Sequence, residues 1–172
     1  MAWKKLSSKE VYRNKWMWVT EDKIQTDSGQ ELTFGVTRKL PFALVIPWDG
    51  THFTLVGEYR YFVSSFSWAF PQGHYLGDLE STARQELKEE IGLGAKKIKE
   101  IGSFWIGPGA IDQECHVFLA TELAAGPSRR EASEEDMQVK KVTVEEFKSM
   151  ISQGVIKDGP SIAAFYFFMG NV

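Results

Sequence analysis

The stretch Pro71-Gln72-Gly73-His74-Tyr75-Leu76-Gly77-Asp78-Leu79-Glu80-Ser81-Thr82-Ala83-Arg84-Gln85-Glu86-Leu87-Lys88-Glu89-Glu90-Ile91-Gly92-Leu93 decides the fold. Its first part, rich in Gly and opened by Pro, reads as a turn and loop. From Asp78 the pattern changes: Leu79, Ala83, Leu87 and Ile91 recur every four residues, as along one stripe of a helix. Asp78 suits the N-cap, and Gly92 or Gly94 the C-terminal stop. Glu86, Glu89 and Glu90 stand at i, i+3 and i+4, so their carboxylates share the face beside the apolar stripe. Like charges so spaced repel. Such a triplet is either a solvated acidic face or a seat for a hard divalent cation, which prefers oxygen ligands and completes its shell with water and phosphate oxygens.

Working outward, Trp16 to Thr26 and Glu31 to Lys39 read as two strands joined by a turn at Asp27-Ser28-Gly29. Phe42 to Trp48 is a short apolar run bounded by Pro, which predicts a buried strand. Asp49-Gly50 signals a hairpin turn, with His52 to Tyr61 as the partner strand. Beyond the helix, Lys97 to Ile106 and Cys115 to Thr121 read as strands flanking a loop, Gly107 to Glu114. Ala124 to Asp136 reads as a surface loop and Gln138 to Val142 as a short strand. Thr143 and Glu146 form a capping box that opens a helix ending near Gly154, and Ser161 to Met169 is a last, apolar helix. Strands around one central helix, with helices late in the chain, predict an α/β layered fold on a mixed sheet.

Bulk properties set the class. The 172 residues suit one domain with an N-terminal extension, and 43% apolar content with twelve Phe and six Trp supplies a core. A net charge of -3 gives no basic excess, which argues against nonspecific nucleic-acid binding. Cys115 is the one cysteine, so an internal disulfide is excluded and a reducing compartment is expected. With three scattered histidines, it also argues against zinc. The N-terminal residues lack the apolar stretch of a signal peptide and no later run is long enough to span a bilayer, so the reading is cytoplasmic, with no membrane partner.

Glu86-Leu87-Lys88-Glu89-Glu90-Ile91-Gly92-Leu93, preceded by Pro71-Gln72-Gly73, resembles the Nudix box. The resemblance implies a Nudix-type α/β/α sandwich around a mixed β-sheet with an N-terminal β-hairpin extension. Residues 1–40 would be the extension, serving dimerisation, and 41–172 the hydrolase domain. It implies Mg2+ (Mn2+ can substitute), held by Glu86, Glu89, Glu90 and the backbone carbonyl of Gln72. Leu55 to Tyr61 with Ser67 to Pro71 resembles the strands before the box in the branch acting on ADP-ribose and nucleotide sugars. That likeness implies a substrate-phosphate contact from Arg60, whose guanidinium suits a bidentate grip. A surface salt bridge is the alternative. Gly107 to Ala120 resembles the loop and strand that supply the branch's general base. Gly109 is there a substrate contact, and the base position falls on Gln113, whose amide cannot take a proton from water. Glu114, then Asp112, are the candidate bases beside it, with Glu89 as a third; Glu134, Glu135 and Asp136 are a further acidic source.

The chain departs from the family pattern in the box. Gly73 and Glu86 stand thirteen residues apart, two fewer than usual, and Gln85 occupies the place of the usual arginine, with Arg84 one place off and Glu80 displaced. The usual loop glutamate has no counterpart. His74 and His116 read as positional, Cys115 as a small buried side chain, and Phe165 to Phe168 as a packed helix. Trp16, Trp18 and Phe34 are either hairpin core or, as the branch implies, base-stacking groups in a homodimer. The expected reaction is hydrolysis of the pyrophosphate bond of a small nucleoside diphosphate derivative, giving a nucleoside monophosphate and a sugar phosphate. The rivals are a Nudix enzyme for a dinucleoside polyphosphate, coenzyme A or capped RNA, and a non-catalytic nucleotide-binding module.

Overall fold

In the computed structural model, residues 3–74, 77–126 and 136–171 are described. The chain divides into two units, one of residues 1–41 with 104–114 and one of residues 42–103 with 115–172.

In the first unit, β1 (Lys4–Arg13), β2 (Trp18–Gln25) and β3 (Glu31–Arg38) are antiparallel neighbours. The β2–β3 turn closes through the Thr26 N–H donating to the Gln30 carbonyl, with Gly29 at φ 84°, a conformation that favours glycine. The start of β9 (Ile111–Ala125) runs parallel to β3, pairing Thr37 with Ile111 and Arg38 with Asp112. Strand β1 is an addition to the sequence reading. Its alternation is mixed and all ten of its residues are exposed, so no apolar periodicity announces it.

A polar chain crosses this unit. The Ser8 hydroxyl on β1 donates to Asp22 on β2, which is only 6% exposed. Arg38 on β3 donates from Nη2 to Asp22 at 2.7 Å, from Nε to Thr20 at 3.3 Å and from Nη1 to Asp112 at 2.6 Å. The Ser8 hydrogen bond, with those from Thr20 and the charge of Arg38, holds the Asp22 carboxyl below its ordinary pKa against the opposing effect of burial.

In the second unit, β4 (Phe42–Pro47) is the central support. Its six residues are all buried. It runs parallel to β9 over Phe42–Pro47 and Cys115–Ala120, and antiparallel to β7 (Gln72–His74). Helix α1 (Leu79–Ile91) lays Ala83 and Leu87 onto Ala43, Val45, Phe118 and Ala120, with Leu79 and Ile91 at the margin. The stripe read from the sequence is thus the buried one. Both of its caps also hold: Asp78 accepts from the Ser81 N–H, and Gly92 takes the left-handed conformation at φ 65°.

A second sheet orders β10 (Gln138–Thr143), β5 (His52–Arg60) and β6 (Ser65–Ala69). This corrects the expected β4–β5 hairpin. The turn is present, but the two strands share only a bridge between Trp48 and Phe53, and β5 pairs with β10 and β6. The cause is Asp49, whose Oδ1 accepts from the Thr51 N–H and hydroxyl and from the His52 N–H, while Lys141 reaches its Oδ2 at 2.8 Å. That arrangement turns the chain out of the first sheet, and the Lys141 contact chiefly holds the Asp49 carboxyl well below the usual carboxylate range.

Phe53 is fully buried and meets Phe70, Phe147, Phe165, Phe168 and Trp48 at 4.8–6.0 Å between ring centroids. Helix α2 (Val144–Ser152) opens on the expected Thr143–Glu146 capping box, and α3 (Gly159–Met169) packs on β4. Together α1 and α3 complete the α/β/α layering. The expected loop of residues 124–136 gives its first two residues to β9, and residues 127–135, with Glu134 and Glu135, lie outside the described residues. Among the described residues no helix is long and apolar enough to cross a membrane.

Two outcomes are expected. Phe53→Ala should lower the unfolding free energy by about 3–5 kcal/mol, the range for emptying a large buried aromatic site, measured by urea denaturation. Asp22 has a depressed pKa, so its contribution is present above the unfolded carboxylate value of about 4 and lost as pH falls through the lower folded value. Asp22→Asn should therefore be less stable than the parent at neutral pH, and the gap should close in acid unfolding below about pH 4.

Candidate active site

The approach to the box is fixed from behind. The Phe70 N–H donates 2.9 Å to the Ser161 hydroxyl, which itself donates to Asp158, the N-cap of α3. The Val45 N–H then donates to the Pro71 carbonyl at 2.9 Å. Residues 70–71 are thereby tied to both α3 and β4, and β7 enters in register with Gln72 opposite Leu44 and Gly73 opposite Ala43.

Glycine at position 73 leaves room for the Glu86 carboxyl group. A Cβ built there would lie 1.7 Å from Glu86 Oε1 and 2.1 Å from its Cδ, so the Glu86 carboxyl group rests against the bare Cα. The first glycine of the box and its first helix glutamate are therefore in van der Waals contact. Glu90, one turn on, is 5% exposed, an environment in which an ionised carboxylate requires hydrogen bonds or a cation. Glu89 is half-buried and its Oε1 accepts from Gln85 Nε2 at 3.0 Å. Gln85, standing where arginine is usual, thus orients one of the candidate ligands.

Arg84 and Glu80, read as displaced, answer each other one turn apart, at 2.8 Å between Arg84 Nη2 and Glu80 Oε1. Arg84 Nη1 also donates to the Ala95 carbonyl at 2.9 Å, joining α1 to β8 (Leu93–Gly107). The helix is fastened by its own charges in spite of the shortened loop.

The ligand atoms on α1 and β7 are hard oxygens, suited to a hard divalent cation and not to softer metals. Among the described residues no three acidic, His or Cys side chains stand close enough to form a ready-made cation cage. The residues fit a cation that takes one or two carboxylates and fills its shell with water and phosphate oxygens.

Arg60, at the end of β5, lies 2.9 Å from Glu58 Oε1 through Nη1 and is partly exposed, so its guanidinium is engaged within its own strand. In the first unit the expected loop of residues 107–114 shrinks to a turn at 108–110, closed by the Ala110 N–H on the Gly107 carbonyl. Gly109 sits in that turn. Asp112, Gln113 and Glu114 are strand residues, because β9 extends back to pair with β3. Strand alternation then fixes their faces: Asp112 and Glu114 on one, Gln113 on the other. Gln113 is buried and its Nε2 donates to the Leu40 carbonyl at 3.0 Å, a bond that an ionised glutamate could not make. Asp112 is bound to Arg38, a contact that sequence spacing gave no means of finding, since the partners are 74 residues apart.

A cleft of about 650 Å³ opens in the first unit, walled by Trp3, Phe34 and Trp105 and edged by Asp22, Arg38 and Asp112. Trp3 and Phe34 stack with centroids 5.9 Å apart. Of the aromatics singled out from the sequence, Phe34 lines this cleft; Trp16 and Trp18 instead pack under Lys15 and Arg13. Trp3 and Trp105 were missed because no local pattern joins them. His116 hydrogen-bonds through Nδ1 to Glu100 Oε1 at 2.7 Å, and Cys115 is fully buried on β9.

Comparison with known proteins agrees with this arrangement. The model described as "NUDIX domain" matches residues 38–165, and that described as "Nucleoside diphosphate sugar hydrolase N-terminal domain" matches residues 3–37. The "ADP-ribose pyrophosphatase" of Bacillus subtilis (strain 168) is 36% identical over 89 residues, 51% of this chain and 48% of that protein. The chain thus aligns with about half the length of this curated relative. The "Crystal structure of ADP compounds hydrolase" superposes with a TM-score of 0.89 over 99% of this chain and 94% of that one, at 17% identity, a likeness of fold. With the box geometry in place and the family's domain matched over most of its length, the chain belongs to the Nudix family.

Proposed function

We propose that this protein hydrolyses the pyrophosphate bond of a nucleoside diphosphate derivative such as ADP-ribose or a nucleotide sugar, releasing a nucleoside monophosphate and a sugar phosphate. The observation that carries the proposal is the Glu86 carboxyl group seated on Gly73, with Glu89 and the buried Glu90 on the same helix. The functions named for the matched N-terminal domain and for the Bacillus relative support the substrate class.

In this reading Glu86, Glu89, Glu90 and the Gln72 carbonyl would hold Mg2+, for which Mn2+ can substitute, with one or two of the carboxylates reaching the ion directly and the rest through water. When bound, the cation supplies charge neutralisation at the phosphoryl oxygens. Arg60 orients the diphosphate by exchanging Glu58 for phosphate oxygens. Glu114 takes the proton from the attacking water, with Asp112 as the second candidate and Glu89 as the third. Gly109 leaves its turn open to substrate, having nothing within 4 Å of where a Cβ would stand. A cytoplasmic location belongs to the same reading, supported by the lone buried cysteine. So does a homodimer, supported by the wholly exposed edge strand β1, since such edges are normally covered or paired.

A second reading, a nucleotide-binding module without turnover, is favoured by one observation. Gln113 at the usual base position is committed to Leu40.

The expected outcome with ADP-ribose, nucleotide sugars and dinucleotides, each with Mg2+, is turnover of at least one, read as phosphate released after phosphatase treatment. Binding without turnover of any would favour the module. Glu90→Gln should reduce turnover beyond the ~10–100-fold typical of changes behind a metal's own ligands, with the fold retained by circular dichroism. Activity within a few-fold of the parent would remove the metal assignment. Glu114→Gln should cost more than Asp112→Asn, and equal activity in the two would remove Glu114 as base. Light scattering should return twice the 19.5 kDa chain mass.

A further inference from the structure

Residues 108–114 are attached to β3 by few bonds. Two register pairs, Thr37 with Ile111 and Arg38 with Asp112, join the strands. The Thr37 N–H donates to the Ala110 carbonyl at 2.9 Å and the Lys39 N–H to that of Asp112 at 3.1 Å. Residues 108–110 of the adjoining turn are exposed. On its other edge β9 pairs with β8, which fixes the strand's alternation, so side chains decide only how firmly the face of Asp112 and Glu114 is held against β3.

Gln113 holds the buried face through the Leu40 carbonyl, and Arg38 makes the side-chain contact to the opposite, acidic face. Its three donor positions are directed at three different acceptors, Thr20, Asp22 and Asp112, which fixes the plane of the guanidinium. The two carboxylates differ in kind. Asp22 has a side chain 8% exposed and is anchored further by Ser8 on β1; Asp112 has a side chain 63% exposed and lies at the cleft edge. One end of the bridge is therefore fixed in the unit and the other is free to move unless held. An ion pair with so exposed a partner contributes little to stability by itself, so orientation is the property it controls.

We propose that Arg38 is the positioning residue for residues 108–114. Through Asp112 it holds the face carrying Asp112 and Glu114, and the Gly109 turn before it, in one arrangement referred back through Asp22 and Ser8 to β1. The role in turnover rests on the reading that Glu114 or Asp112 assists hydrolysis; the positioning itself does not.

The test uses the full chain with Arg38→Met, Arg38→Lys, Asp112→Asn and the double variant Arg38→Met/Asp112→Asn. Amide hydrogen exchange over residues 108–114 should quicken by about two- to fivefold in Arg38→Met and in Asp112→Asn, and no further in the double variant, because both remove the Arg38–Asp112 contact, the one that reaches these residues. Arg38→Lys should fall between, since an ammonium lacks the planar fork that spans both carboxylates. Turnover should follow the same pattern: Arg38→Met should lower kcat with KM little changed, within the ~100-fold that a misplacement of about 1 Å can cost. That loss should vanish in the Asp112→Asn background. Unchanged exchange in Arg38→Met, or losses that add in the double variant, would overturn the proposal. If Arg38→Met does not fold, Arg38→Lys and Asp112→Asn carry the exchange measurement. Should the parent turn over no nucleotide, the hydrolase reading fails while the exchange result still decides the positioning role.

Discussion

The contact between the Glu86 carboxyl group and the Cα of Gly73 is the interaction around which the candidate site of the second unit is arranged. A side chain at position 73 would need the space that the carboxyl group fills. The Glu86 carboxyl group can take this position beside β7 because the strand's middle residue has no Cβ, and the orientation of the helix that carries it follows from the opposite stripe. Ala83 and Leu87 supply the pin, fully buried on Ala43, Val45, Phe118 and Ala120. The chemistry-bearing face of α1 is thus set by hydrophobic packing on the other side of the same helix, a division that a 3.6-residue period makes possible.

That packing in turn requires β4 to be covered on both faces, and the Asp49 turn makes room for this. Had β5 paired alongside β4 as an ordinary hairpin, its aromatic residue would have stayed in the same sheet. The hydrogen bonds to Asp49 send β5 into the second sheet, and Phe53 becomes the centre of a ring cluster shared with Phe147, Phe165 and Phe168. The cluster covers the side that α1 does not, and Ser161, on the helix of that cluster, anchors the residue before Pro71. The route from turn to box is short: Asp49, Phe53, α3, Ser161, Phe70.

What could be read from the sequence was what local spacing encodes. Helix α1, both of its caps, the Thr143–Glu146 box and the buried run of β4 follow from residues within a few positions of each other, and each formed as read. The failures share the opposite property. Strand β1 lies exposed on both faces and so has no apolar period to betray it. The partner of β5 was a matter of tertiary competition, which a turn signal cannot settle. Asp112 to Glu114 read as loop because Pro108 and Gly109 punctuate the segment, yet pairing with β3 extends the strand over them. The shared face of Glu86, Glu89 and Glu90 was legible because they lie on one helix; the Arg38 contacts, spanning up to 74 residues, were not.

The departures from the family pattern also look different once their partners are known. Gln85 in place of arginine, Gln113 in place of glutamate and a shorter loop would each suggest decay if taken singly. Instead Gln85 hydrogen-bonds Glu89, Arg84 closes with Glu80 and reaches Ala95, and Gln113 donates to Leu40. Each amide makes a donor contact unavailable to the acid, or keeps a carboxylate oriented without adding charge. Such replacements alter who carries charge, and at the one buried position, Gln113, the amide is supplied with a partner that keeps it satisfied. The substitutions at 85 and 113 are thus part of a consistent rewiring. It leaves the helix carboxylates in place and shifts the question of the base from Gln113 to the opposite face of the same strand.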